Sequence, residues 1–266
     1  MPKIHANDVE LYYELHGAED APLLVLNNGI IMNAAGSWAF QTQALAKHYR
    51  VLQYDCRGQG QSEHPDEAYT MELHADDLAV LLSALGYEQA HIAGISYGGE
   101  VGQAFALKYP RRCLSLILAD TVSEVGPELR IIIKSWLDAA QAGDVEMFFN
   151  ITVPWNFSPE FIAANPKLLT DAKGRYEQLD YPAIVRLSEC FLEVDFTARL
   201  GEIKCPTCII VGSADLLKGP SYATILKAGI PHAEYHLLLG AGHASCWERP
   251  QEFNTTMLGF LAKHAS

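Results

Sequence analysis

Short apolar runs separated by helix-length segments constrain this chain more than any other feature. Leu23 to Leu26, Val51 to Tyr54, Ala90 to Ala93, Leu114 to Ala119, Cys208 to Val211 and Tyr235 to Leu239 are mostly apolar and too short for buried helices. Between them, Met71 to Leu85 and Gly99 to Tyr109 have helical spacing. This alternation predicts an α/β fold: a mostly parallel central sheet with helices on both faces. Lys3 to Glu14 alternates like an antiparallel opening hairpin. A chain of 266 residues with 49% hydrophobic content can bury one such core and still carry an insertion. Ligands in these sheets bind beyond the carboxyl ends of the strands, so chemistry is sought there.

The alternation fails once. Residues 125–196 are helix-like and contain no convincing strand. They divide the chain into a core, 1–124 and 197–266, and a helical cap inserted between the sixth and seventh core strands. Aromatics are dense in the insertion, among them Trp136, Phe148, Trp155, Phe157 and Tyr176. Most are expected to pack the cap's own small core. A few, with Trp136 and Trp155 as candidates, are expected to roof the site, excluding water and favouring a modest apolar acyl group.

Three strand ends carry residues suited to nucleophilic catalysis. Gly94-Ile95-Ser96-Tyr97-Gly98 follows the run Ala90 to Ala93 and precedes a helical pattern. This G-x-S-x-G spacing predicts a strand, a sharp turn and a helix, with Ser96 at the apex. Side chains at Gly94 or Gly98 would collide with the neighbouring strand and helix, and the turn aims the Tyr97 N–H at a developing oxyanion. The strand Thr207 to Val211 runs into Gly212-Ser213-Ala214-Asp215, and Tyr235 to Leu239 into Gly240-Ala241-Gly242-His243. His243 is the expected base, and Asp215 the expected partner that fixes its tautomer. Asp120 also follows a core strand and is the rival acid; the Gly-x-x-Asp context favours Asp215. His91 reads as a packed core histidine, and His232 and His236 as surface residues.

These motifs resemble those of the α/β-hydrolase superfamily over nearly the whole chain. Tyr54 to Ser62 is similar to its D-x-R-G-x-G-x-S segment, and Gly94 to Gly99 to its elbow. Val211 to Asp215 is similar to its acid segment, and Gly242-His243 through Glu248, Pro250 and Phe253 to its tail. The chain looks most like small capped members: 3-oxoadipate enol-lactonases, simple carboxylesterases and RsbQ-like stress-signalling hydrolases. After the third strand the family usually has His-Gly, whereas this chain reads Asn27-Asn28-Gly29-Ile30, as the enol-lactonase group tends to. The resemblance implies a Ser96–His243–Asp215 triad, an oxyanion hole from the Tyr97 and Ile30 N–H groups, and hydrolysis of an ester or lactone through an acyl-enzyme. Asn28 and Gly29 are candidate contacts in that loop, with Asn28 bracing it through its amide. Trp38 either lines the pocket or packs beneath the loop. Arg57 and Asp55 are expected to brace the loop after their strand, and Glu248 to fix the tail. A sensor of feeble turnover, like the RsbQ group, and a C–C hydrolase are the alternatives that an intact triad leaves open.

A net charge of −13 excludes a polyanion such as nucleic acid as a natural partner. No apolar stretch reaches a membrane-spanning length, and the N-terminus lacks a signal core, so a cytoplasmic location is expected. The six cysteines sit mostly in apolar runs, as buried thiols do. Cys205-Pro206-Thr207-Cys208 has C-x-x-C spacing but no second pair to complete a zinc site, and Cys208 reads as a core residue. No metal or cofactor is expected, and the partner is a small-molecule substrate. Arg130, Lys134, Arg175 and Arg186 are the cap cations that could meet an acidic substrate, and the sequence leaves open which does, as it does the oligomeric state.

Overall fold

The computed structural model describes residues 2–264; residue 1 and residues 265–266 of the expected core span lie outside the described residues. Eight strands form one sheet: β1 (Lys3–Ala6), β2 (Val9–His16), β3 (Leu23–Asn27), β4 (Arg50–Tyr54), β5 (Ala90–Ile95), β6 (Cys113–Ala119), β7 (Thr207–Gly212) and β8 (Glu234–Leu238). Their order is β1-β2-β4-β3-β5-β6-β7-β8. β2 is antiparallel to both neighbours, and every other pairing is parallel. The opening hairpin and the α/β alternation both appear where the apolar periodicity put them.

The central strands are buried throughout because both faces are covered. Side chains alternate between faces. Leu23, Val25, Ile92, Leu116 and Ile209 enter the larger core cluster. Their neighbours Leu24, Leu26, Ala93, Ile117 and Ile210 enter the other, with Phe253, Met257 and Phe260 of the C-terminal helix Pro250–Lys263. That is why these strands read as continuous apolar runs.

Among the described residues, five α-helices lie between β6 and β7, Pro127–Ala142, Val145–Asn156, Pro159–Ala164, Pro166–Tyr176 and Tyr181–Leu192, followed by a 3-10 turn, Thr197–Glu202. Their starts are written in the sequence. Asp144, Ser158 and Asp180 accept from the backbone N–H three residues on, and proline stands in the first turn of four of the five. Gly143, at φ 65°, ends the first helix in the left-handed conformation that glycine adopts without a steric penalty. The chain leaves and rejoins the sheet side by side. Glu124 and Asp195 form an antiparallel bridge, Val125 N–H donates to Val194 O, and Phe196 N–H donates to Ser123 O. Among the described residues no helix is long and apolar enough to cross a membrane.

Candidate active site

Ser96 stands between β5 and the helix Tyr97–Lys108, at φ 53° and ψ −122°. A serine pays for this backbone conformation in strain, and the surrounding structure leaves it no other. A Cβ on Gly94 would lie 2.0 Å from Gly98 O, and one on Gly98 would lie 2.2 Å from Asn27 O on β3. Both contacts are far inside van der Waals range, so the turn closes only with glycine at these positions.

Ser96 Oγ is 2.9 Å from His243 Nε2, and His243 Nδ1 is 2.9 Å from Asp215 Oδ2. All three side chains are buried. A carboxylate facing Nδ1 requires that nitrogen to carry the proton, which leaves Nε2 as the acceptor for the serine hydroxyl. The other oxygen of Asp215 accepts the N–H groups of Leu217 (2.8 Å) and Lys218 (2.9 Å). The histidine loop lies directly over the end of β7. Ala214 N–H donates to Ala241 O, and a Cβ on Gly212 would meet the Ala241 and Gly242 carbonyls at 2.4 Å.

Asp120 is engaged elsewhere than on the histidine. It accepts from Gly212 N–H (2.9 Å) and from the Ser245 hydroxyl, tying the acid strand to the histidine loop. Burial, and then the charge of Asp215, push its carboxyl well above the usual range. Glu248 accepts from Ser158 N–H (2.8 Å) and Ser158 Oγ (2.6 Å), and Ala244 N–H donates to Asn156 O (2.8 Å). These bonds fasten the inserted helices to the histidine loop.

The loop after β3 lies beside the serine: a Cβ on Gly29 would come 3.8 Å from Ser96 Cβ. Among the described residues, the N–H groups of Ile30 and Tyr97 donate to no protein acceptor. Asn28 Nδ2 donates to Gln59 Oε1 (2.7 Å), and Gln59 Nε2 donates to Gly29 O (3.0 Å) and Ile30 O (3.2 Å). Gln59 thus engages both carbonyls and braces the loop. Its place inside the D-x-R-G-x-G-x-S segment was the only sequence signal for that role. Arg57 is fully buried, with Nε and Nη2 on the two oxygens of Asp77 (2.9 and 2.8 Å) and further bonds to Glu67 and Asp8. The Tyr97 side chain points into the core, where its hydroxyl and His74 Nε2 share a hydrogen bond (2.7 Å). Burial lowers the pKa of His74 to about 3 and so keeps the ring neutral.

A cavity of about 380 Å³ opens over Ser96 and His243, and its lining includes Gly29, Ile30, Trp136, Val153, Phe157 and Arg175. Asn28, Trp38 and Trp155 do not line it, contrary to the substrate contacts expected of them. Asn28 is fully buried behind Gly29. Trp38 is fully buried in the second core cluster, its ring 6.2 Å from Phe253. Val153, Asn156 and Phe157 share one helix face toward the cavity, and Trp155, two residues from Val153, points elsewhere. Of the four cap cations, Arg175 alone lines the cavity; it lies 5.7 Å from the Trp247 ring. Arg130 is tied to Leu192 O, and Arg186 to Asp66.

One buried pair had no sequence signal. Lys218 Nζ sits 2.9 and 3.0 Å from the oxygens of Glu100, on the first turn after Ser96, and 4.1 Å from the Phe191 ring centroid. Burial lowers the lysine's pKa against the attraction of Glu100. The pair ties the acid loop to the elbow helix. Lys218→Met should cost about 3–5 kcal/mol of stability, because it leaves a buried carboxylate uncompensated. Adding Glu100→Gln should recover much of that loss. Denaturant midpoints at unchanged slope are the measurement, and a loss below about 1 kcal/mol in the single variant would show that the pair carries little.

A family model described as alpha/beta hydrolase fold matches residues 22–151. A protein of Azorhizobium caulinodans provisionally named carbamate hydrolase RutD is 32% identical over 99% of both chains. The 3-oxoadipate enol-lactonase 2 of Acinetobacter baylyi is 30% identical over 96% of both. The crystal structure of the enol-lactonase from Burkholderia xenovorans LB400 superposes with a TM-score of 0.92 at 30% identity, covering 98% of this chain and 100% of that one.

Proposed function

This chain belongs to the α/β-hydrolase family and is a hydrolase, and from that premise we propose that it cleaves a small ester or lactone through an acyl-enzyme on Ser96. The observation that carries the reading is the continuous hydrogen-bonded line from Ser96 Oγ through the His243 ring to Asp215, with 2.9 Å at each step. The serine oxygen attacks the substrate carbonyl carbon while its proton passes to Nε2 of His243. The tetrahedral oxyanion is held by the unengaged N–H groups of Tyr97 and Ile30, each such donor contributing about 3 kcal/mol to the barrier reduction. The imidazolium, steadied by Asp215, then protonates the departing alkoxide. In a lactone that alkoxide stays tethered to the acyl group. A water molecule, deprotonated by the same nitrogen, attacks the acyl-serine and regenerates the enzyme.

The cavity supports a substrate that is apolar along most of its length and acidic at one end. Ile30, Val153 and Phe157 supply apolar wall. Trp136 adds an almost fully buried indole to the same lining. Arg175 offers a guanidinium at the rim. A panel of neutral nitrophenyl esters, simple carbamates, neutral lactones and carboxylate-bearing lactones tests the reading. Turnover should be fastest on the carboxylate-bearing lactones. Arg175→Met should raise KM for those alone by about tenfold, the worth of one charge-assisted hydrogen bond. An equal effect on neutral substrates would assign Arg175 to structure, and negligible turnover across the panel would remove the ester and lactone assignment.

A further inference from the structure

The C-x-x-C spacing directs attention to Cys205 and Cys208, but the structure pairs Cys205 with a different residue. Cys208 lies inside β7 and is buried in the second core cluster. Cys205 precedes β7 in a segment without regular structure, and its sulfur lies 3.7 Å from that of Cys113, the first residue of β6. The strands β6 and β7 are parallel neighbours, with Leu116 opposite Thr207. Both thiols therefore lie at the amino ends of the strands, at the end of the sheet opposite Ser96 and His243.

We infer that Cys113 and Cys205 are a dithiol site that hydrogen peroxide converts to a disulfide. Three observations support this. The two sulfurs already touch, and closing to a bond of about 2.05 Å asks each to move by less than about 1 Å. Cys205 is partly exposed while Cys113 is buried, so one thiol meets the oxidant and the other waits behind it. The hydrogen bond with Cys113 holds the Cys205 thiol below its usual range, while that bond, together with burial, pushes Cys113 up. The thiolate that forms first is thus the accessible one.

The chemistry balances in two steps. The Cys205 thiolate attacks one peroxide oxygen, the O–O bond breaks, and the departing hydroxide takes up a proton as water, leaving a sulfenic acid. The Cys113 sulfur then attacks the Cys205 sulfur. The S–S bond forms, the S–O bond breaks, and the Cys113 proton leaves with the hydroxyl as a second water. Two thiols are oxidised and one peroxide is reduced to two waters.

The bond would link residues 92 apart and enclose every helix between β6 and β7. It would restrict the unfolded chain far more than the folded one, so the oxidised protein should melt higher by on the order of 5 °C. Turnover at room temperature should be unchanged, because the site is remote from Ser96.

The test treats the folded wild-type protein with hydrogen peroxide and measures intact mass, denatured free-thiol count, peptide map and melting temperature. The expected result is the loss of two hydrogens in mass, a thiol count falling from six to four, and one cross-linked peptide pair containing residues 113 and 205. Dithiothreitol should restore all six. Cys113→Ser and Cys205→Ser should each abolish the bridge, and Cys208→Ala should keep it. Six thiols surviving treatment, oxygen added to Cys205 without a bridge, or a bridge that uses Cys208 would each overturn the assignment.

Discussion

Ser96→Ala is expected to lower kcat/KM on every substrate the enzyme turns over by about 10⁵- to 10⁶-fold, with an unchanged melting temperature. The substitution removes one oxygen that makes a single side-chain hydrogen bond, to His243, and leaves the elbow backbone and its glycine contacts in place. Folding should therefore be unaffected. Chemistry should collapse, because the hydroxyl that Nε2 contacts is gone. A residual acceleration of about 10³-fold over water is expected from the Tyr97 and Ile30 N–H groups acting on bound substrate alone. A fluorophosphonate probe should label the wild type and leave the variant untouched. Equal labelling of the two would place the nucleophile on another residue.

Asp215→Asn should cost about 10⁴-fold in kcat, and the reason lies in the second oxygen of that carboxylate. It accepts two backbone N–H groups, from Leu217 and Lys218. An asparagine must keep its carbonyl oxygen there, since turning the amide would set donor against donor. Its NH₂ group is then forced against Nδ1 of His243. The ring takes the opposite tautomer, with the proton on Nε2, and can no longer accept from Ser96. Asp120→Asn provides the contrast. Asp120 never touches the imidazole, and an amide oxygen can still accept from Gly212 N–H while the NH₂ donates to Ser245. A loss of under about tenfold is expected there. Steady-state kinetics of both variants, with circular dichroism to confirm folding, decides the matter; the reverse ranking would reassign the acid.

What the sequence made readable was local or periodic. β5 and the elbow glycines depend on residues a few positions apart, so their patterns survive in one dimension. The order of serine, aspartate and histidine was readable because each follows a strand end, and a parallel sheet collects its strand ends on one side. What remained hidden depends on long-range placement. Lys218 meets Glu100 across 118 positions, and Cys205 meets Cys113 across 92. Nothing in the neighbouring residues announces either contact. Trp38 and Trp155 have the right side chain for a substrate wall, but helix rotation and depth decide where a ring points. Arg175 became distinguishable from Arg130 and Arg186 only when the other two were seen to be engaged.

The bridge between Glu124 and Asp195 makes the inserted helices a cassette. Both of its joints pass through one doorway on the sheet, so a stretch of different length or composition can be spliced between them without altering strand register. Exchanging the cassette is expected to change which substrates are accepted while Ser96, His243 and Asp215 stay in place. The same doorway gives the protein engineer two cut points for grafting a roof from a relative of different appetite.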